Sequence, residues 1–120
     1  MTTVELTTDN FDQVLQTDRL VLIDFWAAWC GPYRAFAPVF ERVSERHTDA
    51  VFGKVDTEAW PQLAARFAIS AIPTLMVMSN GVVRYAQPGA LGERALEDLI
   101  TQAQTTDMDD VQRQLNRRAS

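Results

Sequence analysis

The sequence predicts an α/β protein in which a βαβ unit is followed by a ββα unit around one mixed sheet. Three observations carry this prediction. Residues 20–26 form a nearly continuous apolar run rich in β-formers, which is typical of a central parallel strand buried on both faces. Apolar residues recur at helical spacing in segments on either side of this run. Asn80-Gly81 separates two β-rich runs, and both residues tolerate the positive φ of a hairpin turn.

The elements follow one another without a repeat or an internal linker. Thr8 and Asp9 are suitable caps for a short first helix, and Pro32 suits the first position of the helix after the central strand. Phe36, Phe40 and Val43 give that second helix an apolar stripe. The predicted elements are, in order, a helix at 8–16, a strand at 20–26, a helix from 32, a strand at 51–56, a helix from 61, a hairpin of 74–78 and 82–85, and a helix around 96–103.

Composition excludes several functions. The chain has 120 residues with 16 acidic and 11 basic side chains, so its net charge of −5 offers no footprint for nucleic acid or an anionic membrane. Its first residues lack the basic and apolar regions of a signal peptide, and no apolar run is long enough for a membrane span. We therefore expect a cytoplasmic monomer that binds neither nucleic acid nor membrane.

Cys30 is the one cysteine of the chain, so a disulfide within the chain and a Cys₄ or Cys₂His₂ zinc site are impossible, and we expect no metal or cofactor. It stands between Trp29 and Gly31 at a predicted helix start, where free N–H groups and the helix dipole favour a thiolate. The neighbouring residues predict an exposed loop and a nucleophilic thiol. An inert core cysteine is the alternative.

The segment Phe25-Trp-Ala-Ala-Trp-Cys-Gly-Pro-Tyr-Arg34, together with Ile72-Pro73-Thr74 before the hairpin, resembles the thioredoxin family over about residues 4–104. The resemblance implies the thioredoxin fold, with a mixed five-stranded sheet flanked by about four helices. It also implies a domain at 1–106, and we expect 107–120 to be a short helical extension. Disulfide oxidoreductase activity in cell redox homeostasis is the function that the resemblance implies.

The family has a second cysteine where this chain has Tyr33. A dithiol reductase uses that second thiol to resolve the mixed disulfide, and a phenol, which has no sulfur, cannot do so. We expect a monothiol protein in which Cys30 forms mixed disulfides that an external thiol or reductase resolves. Two alternatives stay open: a redox-silent module that binds peptides or a partner protein, and a variant of an ordinary thioredoxin whose resolving cysteine was replaced.

Asp24 and Lys54 are the charged candidates for the site. An ionised carboxylate is costly inside the apolar strand 20–26 without a partner. The resemblance implies that Asp24 is buried behind the cysteine and assists proton transfer, a role that Tyr33 puts in doubt. We expect Lys54 to be its partner across the sheet; outward snorkelling of Lys54 is the alternative. His47 is expected to be solvated at the polar end of a helix.

The resemblance also implies a binding surface for disulfide-containing proteins or extended peptides. By this resemblance the Ile72-Pro73 bond is cis and lies beside the cysteine, and the backbone there pairs with an extended substrate. The residues predicted for the active-site loop are Trp29, Gly31 and Pro32, and those predicted to border the substrate groove are Trp29, Ile72, Pro73, Gly89 and Ala90.

Overall fold

The computed structural model of the chain describes residues 3–105, without the side chains of residues 32, 33 and 105. The domain boundary predicted at 106/107 and the helical extension predicted for 107–120 lie outside the described residues. The strands are β1 (Thr3–Glu5), β2 (Val21–Trp26), β3 (Val51–Asp56), β4 (Thr74–Ser79) and β5 (Val82–Pro88), and the helices are α1 (Phe11–Leu15), α2 (Gly31–Arg46), α3 (Pro61–Arg66) and α4 (Glu93–Thr105).

The five strands form one mixed sheet in the order β1-β3-β2-β4-β5. Strand β3 pairs in parallel with β1 and β2, whereas β4 pairs antiparallel with β2 and β5. The central position of β2 explains its composition, because Val21 through Phe25 are all buried. The predicted thioredoxin fold is confirmed, with a mixed five-stranded sheet and four flanking helices within residues 3–105.

A hydrophobic cluster covers each face of the sheet. On one face, Phe36 and Phe40 of α2 and Ile100 of α4 pack against sheet residues that include Leu22 and Phe52. On the other face, Phe11 of α1 and Leu63 of α3 pack against Ile23 and Phe25. Alternate residues of β2 therefore face opposite helix layers. Because Leu22 faces α2 and α4, Asp24 and Trp26, which share its alternation, face the same layer.

The hairpin forms where the Asn-Gly pair predicts it. Asn80 and Gly81 connect β4 to β5 and adopt φ of 51° and 77°. Positive φ at both central positions matches the right-handed twist of the flanking strands. The antiparallel pair therefore follows from local sequence.

Local predictions differ from the structure at two places. Helix α1 begins only at Phe11, because residues 8–10 form a turn in which the Thr7 N–H donates to Asn10 Oδ1 at 2.7 Å. His47 is not solvated: its side chain is 17% exposed, and its Nε2 lies 2.8 Å from Glu97 Oε2. The ring also stacks on Phe52.

No helix among the described residues is long and apolar enough to cross a membrane.

Candidate functional site

Cys30 is the N-cap of α2, one residue before the first helical residue, Gly31. Its backbone N–H donates to the Ala27 carbonyl at 3.1 Å, which closes the turn between β2 and the helix. The Cys30 side chain is only 3% exposed, although Trp29 beside it is 67% exposed. The expectation of an exposed thiol is therefore wrong, because the side chain turns inward and Sγ donates to the Ile72 carbonyl at 3.3 Å.

The segment before β4 lies against the cysteine. The Ile72-Pro73 bond is cis, and the Pro73 carbonyl accepts a hydrogen bond from the Gly89 N–H at 2.8 Å. Gly89 has a φ of 110°, a conformation that favours glycine, and Ala90 after it is exposed. The structure thus connects Cys30 to Ile72, Pro73 and Gly89 through two hydrogen bonds. The side chains of Pro32 and Tyr33, in the segment that carries the resemblance, lie outside what the structure describes.

Asp24 is buried in the middle of β2 with no exposed surface. It stands opposite Lys54 of β3 on one side and Leu75 of β4 on the other. Neither carboxylate oxygen has a hydrogen-bond partner among the described residues. Burial raises the pKa of Asp24 to about 7, and the positive charge of Lys54 offsets part of that rise. The predicted burial is present, but a hydrogen-bonded partner for the carboxylate is not found in this part of the chain.

Lys54 lies in register with Asp24 and is half-buried. Its Nζ lies 5.8 Å from the centre of the Trp26 ring, a cation–π distance. The Lys54 ammonium therefore faces the same helix layer as Asp24 and interacts with it through charge. The structure brings Lys54 to Asp24 as the sequence predicts.

A polar cavity that no sequence pattern predicts lies beside this pair. The cavity has a volume of about 280 Å³ and is lined by Thr3, Glu5, Trp26, Glu41 and Lys54. Strand β1 is too short to give a pattern that would reveal Thr3 and Glu5. For Glu41 a signal existed: it borders the apolar stripe of α2, directly after the buried Phe40.

The charges and the thiol define what the site can do. The Cys30 thiol stands at the N-terminus of α2 and donates to the Ile72 carbonyl. A carboxyl with a pKa of about 7 can accept or donate a proton near neutral pH. In the part of the chain that the structure describes, no group of three or more His, Cys, Asp or Glu side chains could hold a metal ion.

The helix-capping cysteine beside the cis bond of Pro73 agrees with what the resemblance to the thioredoxin family implies. The sequence model of the family Thioredoxin matches residues 2–102. A candidate thioredoxin 2 of Streptomyces coelicolor is 58% identical over 111 residues, which are 92% of this chain and 83% of that protein. A thioredoxin of Alicyclobacillus acidocaldarius is 46% identical over 80 residues, covering 66% of this chain and 76% of that one.

A solved structure gives the same result. The thioredoxin of Malassezia sympodialis superimposes with a TM-score of 0.75 at 37% identity, covering 85% of this chain and 91% of that one. The chain belongs to the thioredoxin family. Its general activity is that of a thiol-disulfide oxidoreductase.

Proposed function

We propose that the protein exchanges thiols and disulfides through Cys30 alone. The Cys30 thiolate attacks one sulfur of a substrate disulfide, a Cys30–substrate disulfide forms, and the other substrate sulfur leaves as a thiolate that takes up a proton. An external thiol then attacks Cys30 Sγ in the mixed disulfide, which releases the second substrate sulfur as a thiol and leaves Cys30 bonded to the external sulfur. A second external thiol attacks that sulfur, forms the external disulfide and releases Cys30 as a thiolate. Each cycle oxidises two external thiols for every substrate disulfide that is reduced.

The position of Cys30 is the observation that carries this proposal. As the N-cap of α2, it stands at the end of the helix where the first N–H groups have no intrahelical partners. Its hydrogen bond to the Ile72 carbonyl places Sγ beside backbone that an extended substrate could approach. Tyr33 stands where the family has its resolving cysteine, so the release step falls to a second molecule.

The partners that fit are disulfide-containing proteins or extended peptides, with a thiol or a reductase as electron donor. The exposed Trp29 offers an aromatic surface next to the cysteine. Gly89, whose N–H donates to the Pro73 carbonyl, and Ala90 are also exposed. A reducing compartment, for which we propose the cytoplasm, supplies the external thiol that a monothiol cycle needs.

Mass spectrometry of the folded protein tests the proposal. Reduced protein is incubated with oxidised glutathione, and the expected product is a single adduct on Cys30 that excess thiol removes. The Cys30→Ser variant is the control and should form none. Modification of the urea-unfolded protein without modification of the folded protein would contradict the proposal, because it would show a thiol that reacts only when the chain opens.

A redox-silent binding module is the second candidate, and the 3% exposure of Cys30 favours it. Such a module would bind an extended peptide beside Pro73 without forming a covalent bond. The test compares the peptides that the unaltered chain and the Cys30→Ser variant recover. A protein that only binds keeps its affinity for these peptides in the variant, whereas an exchange protein loses covalent capture.

A further inference from the structure

Three charged residues stand side by side across the sheet. Glu5 of β1 is in register with Lys54 of β3, and Lys54 is in register with Asp24 of β2. Residues paired in parallel strands point to the same face of the sheet. The Glu5 carboxylate, the Lys54 ammonium and the Asp24 carboxyl therefore form a row on the face that α2 covers. Its inner end, Asp24, is fully buried, and its outer end, Glu5, is exposed.

A second carboxylate reaches the row from the helix above. Glu41 of α2 lines the 280 Å³ cavity together with Glu5 and Lys54. The Thr3 hydroxyl donates to Glu41 Oε2 at 2.8 Å, which ties the Glu41 side chain to β1. The other oxygen of Glu41 is buried and has no hydrogen-bond partner among the described residues. Lys54 is thus placed between the buried carboxyl of Asp24 and two outer carboxylates.

We infer that Glu5 and Glu41 are positioning residues that draw the Lys54 ammonium toward the cavity and thereby fix how firmly Asp24 holds its proton. The inference concerns the proton of Asp24 directly. It rests on the proposed function only where it extends to the rate of exchange at Cys30.

The neighbouring charges explain why the effect passes through Lys54. The charged groups described around the row are Glu5 on β1, Lys54 and Asp56 on β3, and Glu41 on α2, while β4 presents the apolar Leu75. Further along the same face, beyond Phe52, His47 pairs with Glu97 of α4. Asp56 accepts hydrogen bonds from the N–H groups of Glu58 and Ala59 at the strand end. The ammonium of Lys54, which is in register with Asp24, favours the ionised form of that carboxyl.

The electrostatic consequence has a definite sign. If Glu5 or Glu41 loses its charge, the Lys54 ammonium interacts more strongly with Asp24, and ionisation of Asp24 becomes easier. If Lys54 loses its charge, ionisation of Asp24 becomes harder, and neither glutamate then has an ammonium through which to act.

Carbon-13 NMR titration of the Asp24 carboxyl is the first experiment. The Glu5→Gln and Glu41→Gln variants should each lower the titration midpoint by roughly half a pH unit or more. The matched control is Glu45→Gln, which removes the same charge from an exposed position one turn further along α2 and should leave the midpoint in place. A midpoint in Glu5→Gln and Glu41→Gln that moves no further than in the control overturns the inference.

A double-mutant cycle separates positioning from direct repulsion. In a Lys54→Met background the Asp24 midpoint should rise, and adding Glu41→Gln should no longer move it. If Glu41→Gln moves the midpoint as far in this background as in the unaltered chain, Glu41 acts on Asp24 directly, and the positioning role is wrong.

The pH profile of adduct formation at Cys30 extends the test to function. Where Asp24 assists exchange, the profile of Glu41→Gln should shift with the NMR midpoint. An NMR shift without any adduct at Cys30 supports the positioning of Lys54 and counts against the proposed function alone. The two ideas therefore fail in different ways.

Discussion

Burial of Asp24 gives the site a carboxyl that titrates near pH 7, and the same burial lowers the stability of the folded chain at higher pH. The pKa of about 7 in the folded chain lies above the ordinary aspartate value of 3.8 because burial disfavours the charged form. Between these two values the folded state binds a proton that the unfolded chain has released, so stability falls as pH rises and levels off above pH 7. We expect this carboxyl to reduce the free energy of unfolding by about 3 kcal/mol between pH 5 and pH 8.5.

Urea unfolding at a series of pH values measures this effect. Other groups also titrate in this range, so the informative quantity is the difference between the unaltered chain and the Asp24→Asn variant. The variant should gain stability relative to the unaltered chain as the pH rises toward 8.5. A difference that stays constant across the range would mean that Asp24 has an ordinary pKa in the folded state.

Tyr33 carries a second prediction at the scale of a single residue. If the backbone of this loop holds positions 30 and 33 as a dithiol protein requires, Tyr33→Cys restores the resolving thiol, and intramolecular attack replaces the external one. We expect the variant to catalyse reduction of insulin disulfides by a dithiol regenerant, which the unaltered chain should not do. The double variant Cys30→Ser/Tyr33→Cys is the control, and an inactive Tyr33→Cys would contradict the assumed loop geometry.

At the scale of elements, the sequence predicts the strands and helices whose signal lies within their own residues. Strand β2 is a continuous apolar run, and the hairpin follows from Asn80-Gly81 alone. Strand β1 has only three residues, so neither alternation nor length marks it, and the strand was expected only through the resemblance. The inward turn of Cys30 was missed because it depends on the Ile72 carbonyl, 42 residues further along the chain.

The same difference between local signals and long-range contacts applies to the row from Glu5 to Asp24. The burial of Asp24 could be predicted from the apolar strand that contains it. Its lack of a hydrogen bond and its association with Glu5 and Glu41 could not, because they depend on strand register and on the position of α2 over the sheet. Contacts between distant segments set these properties, and no single segment encodes them.

The hairpin turn permits a quantitative prediction. Gly81 has a φ of 77°, and a Cβ built there meets no atom within 4 Å, so an alanine at this position meets only backbone strain. We expect Gly81→Ala to lower the free energy of unfolding by about 1 kcal/mol in urea denaturation. Gly31→Ala is the control, since Gly31 also has open space, lies in helix α2 and has no positive φ. The control should match or exceed the stability of the unaltered chain; equal losses in both variants would contradict the strain argument.

On the scale of the whole molecule, the polar row from Glu5 to Asp24 lies between the sheet and helix α2. Apolar clusters cover both faces of the sheet, and the row from Glu5 to Asp24 interrupts the one beneath α2. The helix that caps the cysteine also carries Glu41 over that row. One element, α2, thus supplies the helix terminus at the thiol and a carboxylate beside the buried acid, so movements of α2 would affect both.

The two hydrophobic clusters predict where the folded domain ends. Among residues 3–105, which the structure describes, the last buried member of the two clusters is Ile100 of α4, and a chain ending at residue 106 keeps every described member. A chain shortened to residues 1–106 should therefore unfold cooperatively, with a free energy of unfolding within about 1 kcal/mol of that of the full chain. Removal of residues 99–120 is the comparison: it deletes Ile100 and the partly buried Leu99, and should cost several kcal/mol or prevent folding. Urea unfolding followed by circular dichroism distinguishes the two. A large loss already at 1–106 would assign residues 107–120 to the folded core and contradict the predicted boundary.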